Sequence, residues 1–207
     1  MEGNGARIDA PEELRSLYGE PSDTAQRKVL PRLDKHCRSV IAASPFLVIG
    51  SADASGACDV SPRGDAPGFV AVLDDATLLI PDRRGNKRVD TMGNILENPQ
   101  VALIFFVPGM TETLRVNGRV EITTEASLLA PHAVNGKPPQ SGLVVRVEEA
   151  YLHCGKALIR SRLWDPERQI DRKSLPSLGQ MIAEQIEGLD VAETEANIEE
   201  AYRSRLY

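Results

Sequence analysis

Residues 78–106 read LLIPDRRGNKRVDTMGNILENPQVALIFF, and this stretch decides the fold. Its two apolar ends each predict a strand, and its middle predicts a basic turn followed by a short helix. Asn98-Pro99 is the expected end of that helix, because the residue before a proline disfavours helical geometry. The stretch therefore predicts the order strand, turn, helix, strand.

The short helix has its own sequence signals. Val89, Met92 and Leu96 are spaced i, i+3 and i+7, so they are expected to form one apolar helix face. Asn86 is the expected N-cap, because its side-chain oxygen can accept from the free N–H groups of a first helical turn.

The turn before this helix concentrates positive charge in a chain with net charge -6 and pI near 5.2. A helix N-terminus carries free N–H groups and partial positive charge, so cations around it form an anion site. The phosphate of a bound cofactor is the anion that we expect there. A solvated basic patch is the alternative interpretation. The cations are Arg83, Arg84, Lys87 and Arg88.

Composition limits the class of protein. The chain has 207 residues, of which 42% are hydrophobic and 26% charged, as is usual for a globular protein. Its acidic balance argues against general nucleic-acid or anionic-membrane binding. Residues 1–14 lack the apolar core of a signal peptide, and no window is apolar enough for a membrane span. Cys37, Cys58 and Cys154 do not form a disulfide pattern, so we expect a cytoplasmic protein.

The chain divides into three predicted zones. Residues 1–44 read as a helical extension, with one short helix and a second one interrupted or kinked at Pro31. Residues 45–165 contain the strands, with hairpin turns at 53–56 and 74–75. Residues 166–207 read as a second helical extension. These signals predict a mainly β fold with α additions: a six-stranded antiparallel barrel, closed or nearly closed, with flanking helices at both termini.

Three segments of the β zone differ in pattern. Residues 101–108 form a continuous apolar run, which predicts a strand buried on both faces. Residues 113–124 alternate, which predicts a half-exposed strand. Residues 131–142, PHAVNGKPPQSG, break both periods and predict a loop.

Two strand segments carry polar candidates. In residues 61–68, Pro62 and Gly64 flank Arg63 and predict a sharply shaped strand end, for which an ordinary turn is the alternative. Thr113 and Arg115 lie on one face of an alternating strand, for which a solvated polar face is the alternative.

The segment after the last predicted strand is also basic. Lys156, Arg160 and Trp164 are spaced i, i+4 and i+8, so a continuous helix would present two cations and an aromatic plane together. A charged helix that caps the barrel is the alternative. The dipeptides at 36–37 and 153–154 join His to Cys but lack the spacing of a structural zinc site, so no metal is expected.

These segments together resemble the pyridoxamine 5′-phosphate oxidase-like family of FMN-binding split barrels. The resemblance covers roughly residues 35–165, and its most telling part is GNKRVDTMGNILENPQVALIFF followed by TLRVNGRVEI. It implies a six-stranded split β-barrel, a homodimer with cofactor sites at the interface, and flavin-mediated redox of a small substrate. The whole chain looks more like an uncharacterised bacterial subgroup of this family than the vitamin-processing enzyme itself.

The resemblance also implies roles for single residues. The phosphate-binding basic pair falls on Lys87 and Arg88, and Arg63 reaches the same phosphate. The partner subunit would supply the polar strand position near Thr113 and Arg115, and Trp164 would close the site. Asn86, just before the basic pair, is a further cofactor-binding position. The backbone of two segments would line the flavin ring and ribityl chain, at Ser61, Pro62 and Gly64 and at Ile80, Pro81 and Asp82.

The sequence departs from the vitamin-processing oxidase after the barrel. The signature that grips pyridoxal phosphate is replaced by SLPSLGQMIAEQ, so oxidation of pyridoxamine phosphate is not expected. We therefore expect an FMN-dependent oxidoreductase with an unidentified small substrate and no recognisable catalytic acid or base. The alternatives are a non-catalytic flavin, haem or pyridoxal-phosphate binding protein, and an F420-dependent reductase.

Overall fold

The computed structural model describes residues 7–207, so residues 1–6 of the predicted helical extension lie outside the described part. In the sequence, α-helices precede the first strand and follow the last strand of a single sheet. Short 3₁₀ turns occur at Ala130–His132, Pro166–Arg168 and Arg172–Ser174. The helices of the described residues are α1 Pro11–Tyr18, α2 Asp23–Arg27, α3 Lys35–Ala43, α4 Asp90–Glu97, α5 Ala126–Leu129, α6 Lys156–Ser161, α7 Leu178–Gln185 and α8 Val191–Ser204.

The strands form one antiparallel sheet in the order β2-β1-β5-β6-β7-β4-β3. The predicted mainly β fold with flanking helices is confirmed. The sheet has seven strands rather than six, because the residues before β4 add a two-residue edge strand. The strands are β1 Phe46–Ala52, β2 Cys58–Gly64, β3 Ala71–Val72, β4 Thr77–Pro81, β5 Gln100–Phe106, β6 Thr113–Thr123 and β7 Gly142–His153.

Both predicted hairpin turns are present. In the β1–β2 turn, Asp53 Oδ1 accepts from the N–H groups of Ser55 (2.8 Å) and Ala57 (2.9 Å), and Gly56 has φ +87°. This left-handed geometry suits glycine, which has no Cβ to clash. In the β3–β4 turn, Asp74 Oδ1 accepts from Ala76 N–H at 2.8 Å. Side-chain acceptors therefore fix both turns.

One face of the sheet forms the core. Val101, Leu103 and Phe105 of β5 are buried, and the residues between them are exposed or half-buried. The expectation that this strand is buried on both faces is therefore wrong, although the apolar run does form a strand. β6 alternates between buried and more exposed residues as predicted.

The second predicted helix before the sheet is interrupted around Pro31, which is one of its two expected forms. α2 ends at Arg27 and α3 begins at Lys35, with Asp34 Oδ1 accepting from the N–H groups of His36 and Cys37. Between the helices, Leu30 pairs with Ala150 of β7 through N–H···O bonds of 3.0 and 2.8 Å. The segment around Pro31 is thus an extended connection rather than a kink.

α4 has a different buried face from the predicted one. Thr91 and Ile95 are buried, whereas Val89 and Leu96 are 59% and 80% exposed. The helix is held by Asn94 Nδ2, which donates to Ser51 Oγ of β1 at 3.0 Å. The rotation that allows this bond turns the predicted apolar face away from the core.

The helices after the sheet form a separate pair. α7 and α8 pack on each other where Gly179 meets the backbone of Glu195, and the Ser177 hydroxyl donates to the Glu195 carboxylate. A Cβ on Gly179 would lie 2.9 Å from Glu195 Cα, so the close helix approach requires glycine.

The irregularity between Asn117 and Gly118 of β6 yields a stability prediction. A Cβ on Gly118 would lie 2.1 Å from the backbone oxygen of Arg146, which cannot move without disturbing the β6–β7 ladder. We expect Gly118→Ala to lower the free energy of unfolding by about 1–3 kcal/mol, the usual cost of overpacking. Urea unfolding measures it.

Gly93→Ala is the matched control. Gly93 lies within α4 and a Cβ there would meet nothing within 4 Å. Alanine favours a helix interior, so this variant should be neutral or up to about 1 kcal/mol more stable. Equal effects of the two substitutions would contradict the steric account of the bulge.

Candidate functional site

A cleft of about 590 Å³ lies between β2 and the segment that runs from the end of β4 into α4. β2 is an edge strand, and β4 stands near the opposite edge of the sheet. The cleft therefore marks the opening where the two ends of the sheet approach each other. Its lining residues are Asp59, Val60, Ser61, Pro62, Arg63, Gly64, Phe69, Pro81, Asp82, Arg83, Arg84, Gly85, Asn86, Lys87, Arg88, Val89, Asp90, Thr91, Met92 and Gln140.

β2 forms one wall of the cleft. Residues 59–64 line it consecutively, although successive side chains of a strand point to opposite faces. The strand therefore presents its free edge, whose backbone N–H and C=O groups have no neighbouring strand on that side. Pro62 lies within β2, and Arg63 and Gly64 are its last two residues, so Arg63 does lie at a strand end, although Gly64 does not take a positive φ. Proline is tolerated there because β2 is an edge strand.

Arg63 crosses the opening of the sheet. Its guanidinium donates to Asp82 Oδ1 at 2.5 Å, and the two side chains are 18% and 25% exposed. Its Nε is buried and has no hydrogen-bond partner among residues 7–207. A buried donor without a partner is costly, so the residue has unused capacity for an acceptor.

A second ion pair crosses the same opening. Arg83 Nε donates to Asp65 Oδ2 at 2.6 Å, and Arg83 Nη1 donates to the backbone oxygen of His132 at 2.8 Å. The Tyr207 hydroxyl donates to Asp65 Oδ1 at 2.8 Å, and the Arg83 guanidinium lies 5.8 Å from the Tyr207 ring centroid. Asp65 thus accepts from two segments that are distant in sequence, those of Arg83 and Tyr207.

This network shifts three pKa values. Burial acts to raise the pKa of Asp65, but hydrogen bonds from Ala66 N–H, Tyr207 and Arg83 outweigh it, so the pKa is lowered. The hydrogen bond to Asp65 raises the pKa of Tyr207. Burial, and secondarily the charge of Arg83, lowers the pKa of His132. At neutral pH the network therefore holds a carboxylate and a neutral phenol.

The loop before α4 has unusual backbone geometry. Lys87 and Val89 have φ of +65° and +55°, a left-handed conformation that is rare for residues with a Cβ and especially for Val. Asn86 Oδ1 accepts from Arg88 N–H at 3.1 Å, and Arg88 Nε donates to Asp90 Oδ2 at 2.7 Å. Strain of this kind is often retained at functional sites.

The predicted N-cap role of Asn86 is wrong. α4 begins at Asp90, its N-cap position is Val89, and no side chain in residues 7–207 caps its first turn. Asn86 instead closes the turn that holds Arg88. The first-turn N–H groups of α4 therefore lack a side-chain acceptor where the helix begins at the cleft.

Most of the sequence-predicted site residues come together in this cleft. Ile80 does not, because it is buried in the core. Thr113 and Arg115 lie on β6, where Thr113 is buried and Arg115 stands 5.2 Å from the Tyr151 ring. The predicted residues that line the cleft are Ser61, Pro62, Arg63, Gly64, Pro81, Asp82, Asn86, Lys87 and Arg88.

Trp164 also lies outside the cleft lining. α6 ends at Ser161 and Arg162 has φ +53°, so Trp164 is not on the helix and the predicted face with Lys156 and Arg160 is wrong. Trp164 Nε1 donates to the backbone oxygen of Met110 at 2.8 Å.

Sequence reasoning missed several parts of the site. Gln140 comes from the predicted loop, and nothing in its local pattern indicates a site. Tyr207 is 142 positions from its partner Asp65, and no periodicity links them. The left-handed conformation of Val89 is not predictable either, because its spacing indicates only an apolar helix face.

The described residues contain neither a candidate metal centre nor a candidate membrane span. Within 7–207, no group of three or more His, Cys, Asp or Glu side chains is placed to hold a metal ion. In the same range, no helix combines the length and apolarity that crossing a membrane requires.

The family model described as pyridoxamine 5′-phosphate oxidase matches residues 33–154, which is more than half of the chain. The chain belongs to this family. The matched range contains the whole sheet and the cleft, as the sequence resemblance predicts. α1, α2 and the helices from α6 onward lie outside it.

Three of the solved structures that are similar to this chain show 14–18% sequence identity to it. HupZ from Group A Streptococcus is 18% identical, covering 58% of this chain and 93% of its own (TM-score 0.48). An FMN-binding protein from Syntrophomonas wolfei is 14% identical, covering 69% and 96% (TM-score 0.46). General stress protein 26 from Bacillus anthracis is 15% identical, covering 55% and 88% (TM-score 0.42). A comparison with curated proteins gives no significant match.

The Asp65 network predicts how stability responds to pH. Asp65 has a lowered pKa when folded, so its contribution is full above its unfolded value and is lost as pH falls through the folded value. We expect Asp65→Asn to lower the free energy of unfolding at pH 7 by about 1.5–3 kcal/mol, because it leaves Arg83 without its carboxylate. The gap from the unsubstituted protein should narrow as pH falls below about 4. Urea unfolding at several pH values measures it.

Asp75→Asn is the control for this experiment. Asp75 pairs with Arg32 at 3.3 Å, but the two side chains are 51% and 66% exposed. Exposed ion pairs contribute little, so this variant should change stability by less than about 1 kcal/mol. A loss for Asp65→Asn that persists unchanged into acid would contradict the charge network.

Proposed function

We propose that this protein binds FMN in the β2–α4 cleft and is a flavin-dependent oxidoreductase acting on a small organic substrate. One observation carries the proposal: Lys87 and the buried Nε of Arg63, both without a partner in residues 7–207, meet the start of α4, which no side chain of that range caps, in a 590 Å³ cleft of a pyridoxamine 5′-phosphate oxidase family member. That volume lies within the range of about 300–1,000 Å³ usual for ligand sites.

The phosphate fits the basic end of the cleft. Lys87 forms no ion pair or side-chain hydrogen bond with any residue in 7–207, and Arg88 is paired only with the exposed Asp90. Arg63 offers the buried Nε that has no partner. Together with the N–H groups of the first turn of α4, these cations would hold a phosphate by charge-assisted hydrogen bonds.

The remainder of the cleft fits a flavin ring. Val60, Pro62, Phe69, Pro81 and Met92 supply apolar surface, and the free edge of β2 supplies backbone donors and acceptors. Aromatic and apolar walls with few polar groups are typical of cofactor sites. When bound, the flavin would supply the hydride or electron transfer, while the protein orients it and excludes water.

A homodimer would complete the site. The outer face of the sheet carries apolar side chains that its own chain leaves partly exposed, among them Phe46, Ile104 and Phe106. Phe46 and Phe106 pack with ring centroids 6.1 Å apart. Burial of this face against a second copy would bring new residues toward each cleft. Arg115 and Trp164, which lie outside the cleft of their own chain, are the residues that we expect the partner to contribute. Thr113 is buried within its own chain, so it would position the strand that carries Arg115 rather than reach the partner's cleft.

The visible absorption spectrum of the purified protein, followed by mass identification of the released chromophore, tests the cofactor. Released FMN is the expected result. F420, a haem Soret band, or a colourless protein that does not bind added FMN would contradict it. Stopped-flow mixing of the flavin-loaded protein with NADH and NADPH then tests turnover, because a reductase using either donor bleaches its flavin rapidly.

Lys87→Ala tests the phosphate anchor. We expect it to weaken FMN binding about tenfold to hundredfold, the range for loss of one charged hydrogen bond. Riboflavin binding should barely change, because riboflavin lacks the phosphate. Fluorescence titration with each flavin gives both dissociation constants.

Lys173→Ala is the matched control, because Lys173 is exposed in the 3₁₀ turn Arg172–Ser174, far along the chain from the cleft segments. It should bind FMN and riboflavin as the unsubstituted protein does. Equal losses of both flavins in Lys87→Ala would exclude Lys87 as a phosphate ligand.

A further inference from the structure

A second cavity of about 250 Å³ adjoins the cleft. It shares Asp82, Arg83, Arg84 and Gln140 with the cleft, so the two spaces meet at the segment that follows β4. Its remaining walls come from the loop after α5 and from Tyr207: Val134, Lys137, Pro138, Pro139 and Tyr207. None of these wall residues lines the cleft itself.

The charges around this cavity are unevenly compensated. Asp82 is paired with Arg63, and Arg83 is paired with Asp65. Arg84 and Lys137 form no ion pair and no side-chain hydrogen bond with any described residue. Two of the cationic side chains that line the cavity therefore have no carboxylate paired with them among the described residues, which favours an anion between them.

The other surfaces are flat and apolar. Pro138 and Pro139 contribute ring faces, Val134 contributes methyl groups, and Tyr207 contributes an aromatic ring. Such surfaces suit a ring-bearing ligand. The volume is below the range of about 300–1,000 Å³ typical of drug-sized ligands, so the ligand must be small.

The walls are held in place by contacts already described. Tyr207 is fixed by its hydrogen bond to Asp65 and by the guanidinium of Arg83. Val134 and Lys137 exchange two backbone hydrogen bonds of 3.0 Å around Asn135-Gly136, whose φ values are +52° and +74°. This is the geometry of a tight Asn-Gly hairpin turn, which fixes the backbone that carries Lys137.

We propose that this cavity is the substrate subsite and that it takes a small ring-bearing carboxylate, with Arg84 and Lys137 as the anion receptors and Tyr207 as the apolar wall. The assignment of the ligand as a substrate rests on the proposed flavin function, because only the shared segment 82–84 would bring it beside the cofactor. The preference for an anionic ligand rests only on the charged residues that line the cavity.

Benzoate and its neutral analogue benzamide are the probes. Ligand-observed NMR titration of the full chain, with and without FMN, gives their dissociation constants. We expect benzoate to bind and benzamide to bind at least about tenfold more weakly. Lys137→Gln should weaken benzoate about tenfold, as expected for a charged contact, and leave benzamide and FMN unchanged. Lys173→Gln is the control and should change none of them.

Tyr207 provides the second pair of variants. Tyr207→Ala should weaken both probes alike because it removes the wall, whereas Tyr207→Phe keeps the ring and should retain benzoate binding. Equal affinity for benzoate and benzamide, no binding of benzoate, or unchanged binding in Lys137→Gln would overturn the assignment. If this pattern appears without any flavin binding, the oxidoreductase proposal fails while the anion site stands. If FMN binds but the probes do not show these affinities, only the assignment of the subsite is overturned.

Discussion

The arrangement of this molecule depends on two ion pairs that cross the opening of the sheet. β2 is the first strand in the sheet order and β4 the sixth, so no backbone ladder joins them. Arg63 on β2 instead pairs with Asp82 after β4, and Arg83 beside it pairs back to Asp65 beyond β2. This reciprocal exchange places two cations and two carboxylates across one gap, in side chains that are at most one-quarter exposed. Their limited contact with water strengthens each attraction, and the same limited contact makes the loss of one partner costly.

Most of the fold follows from local sequence, because strand and turn signals act over a few residues. The Asp53 and Asp74 turns and the alternation of β6 are examples, since each needs only a nearby acceptor or a period of two. The buried face of α4 could not be predicted from such local signals. Its spacing fits an apolar stripe through Val89, yet Val89 takes a left-handed conformation before the helix begins, and Asn94 meets Ser51 on β1. A contact between distant segments fixed the helix rotation, and periodicity carries no information about such a contact.

The candidate site likewise contains residues that local sequence predicts and residues that it does not. The cleft residues of β2 and of the loop before α4 were predictable, because two short segments hold nearly all of them and each carries its own charge or turn signal. Gln140 and Tyr207 were not, because they join the site only through the folded chain. Trp164 shows the opposite error. Its regular spacing from Lys156 predicts a shared face, but the left-handed Arg162 ends that regularity two residues earlier.

Within this basic region, ion pairing distinguishes the cations that fix the structure from the cations that are available to a ligand. Arg63 and Arg83 each contact a carboxylate at 2.5–2.6 Å, so their charge is largely compensated within the protein and they fix the cleft walls. Arg63 keeps one donor for a ligand, the buried Nε that has no partner in residues 7–207. Arg84, Lys87 and Lys137 have no such partner among the described residues, so their field remains available to a ligand. The chain has a net charge of -6, so this group of cations has the opposite sign to the charge of the protein as a whole. Lys87 lies in the cleft and Lys137 in the adjoining cavity, with Arg84 between them in both linings. The available positive charge thus extends from one space into the next, and a cofactor phosphate and a substrate anion would each meet their own lysine.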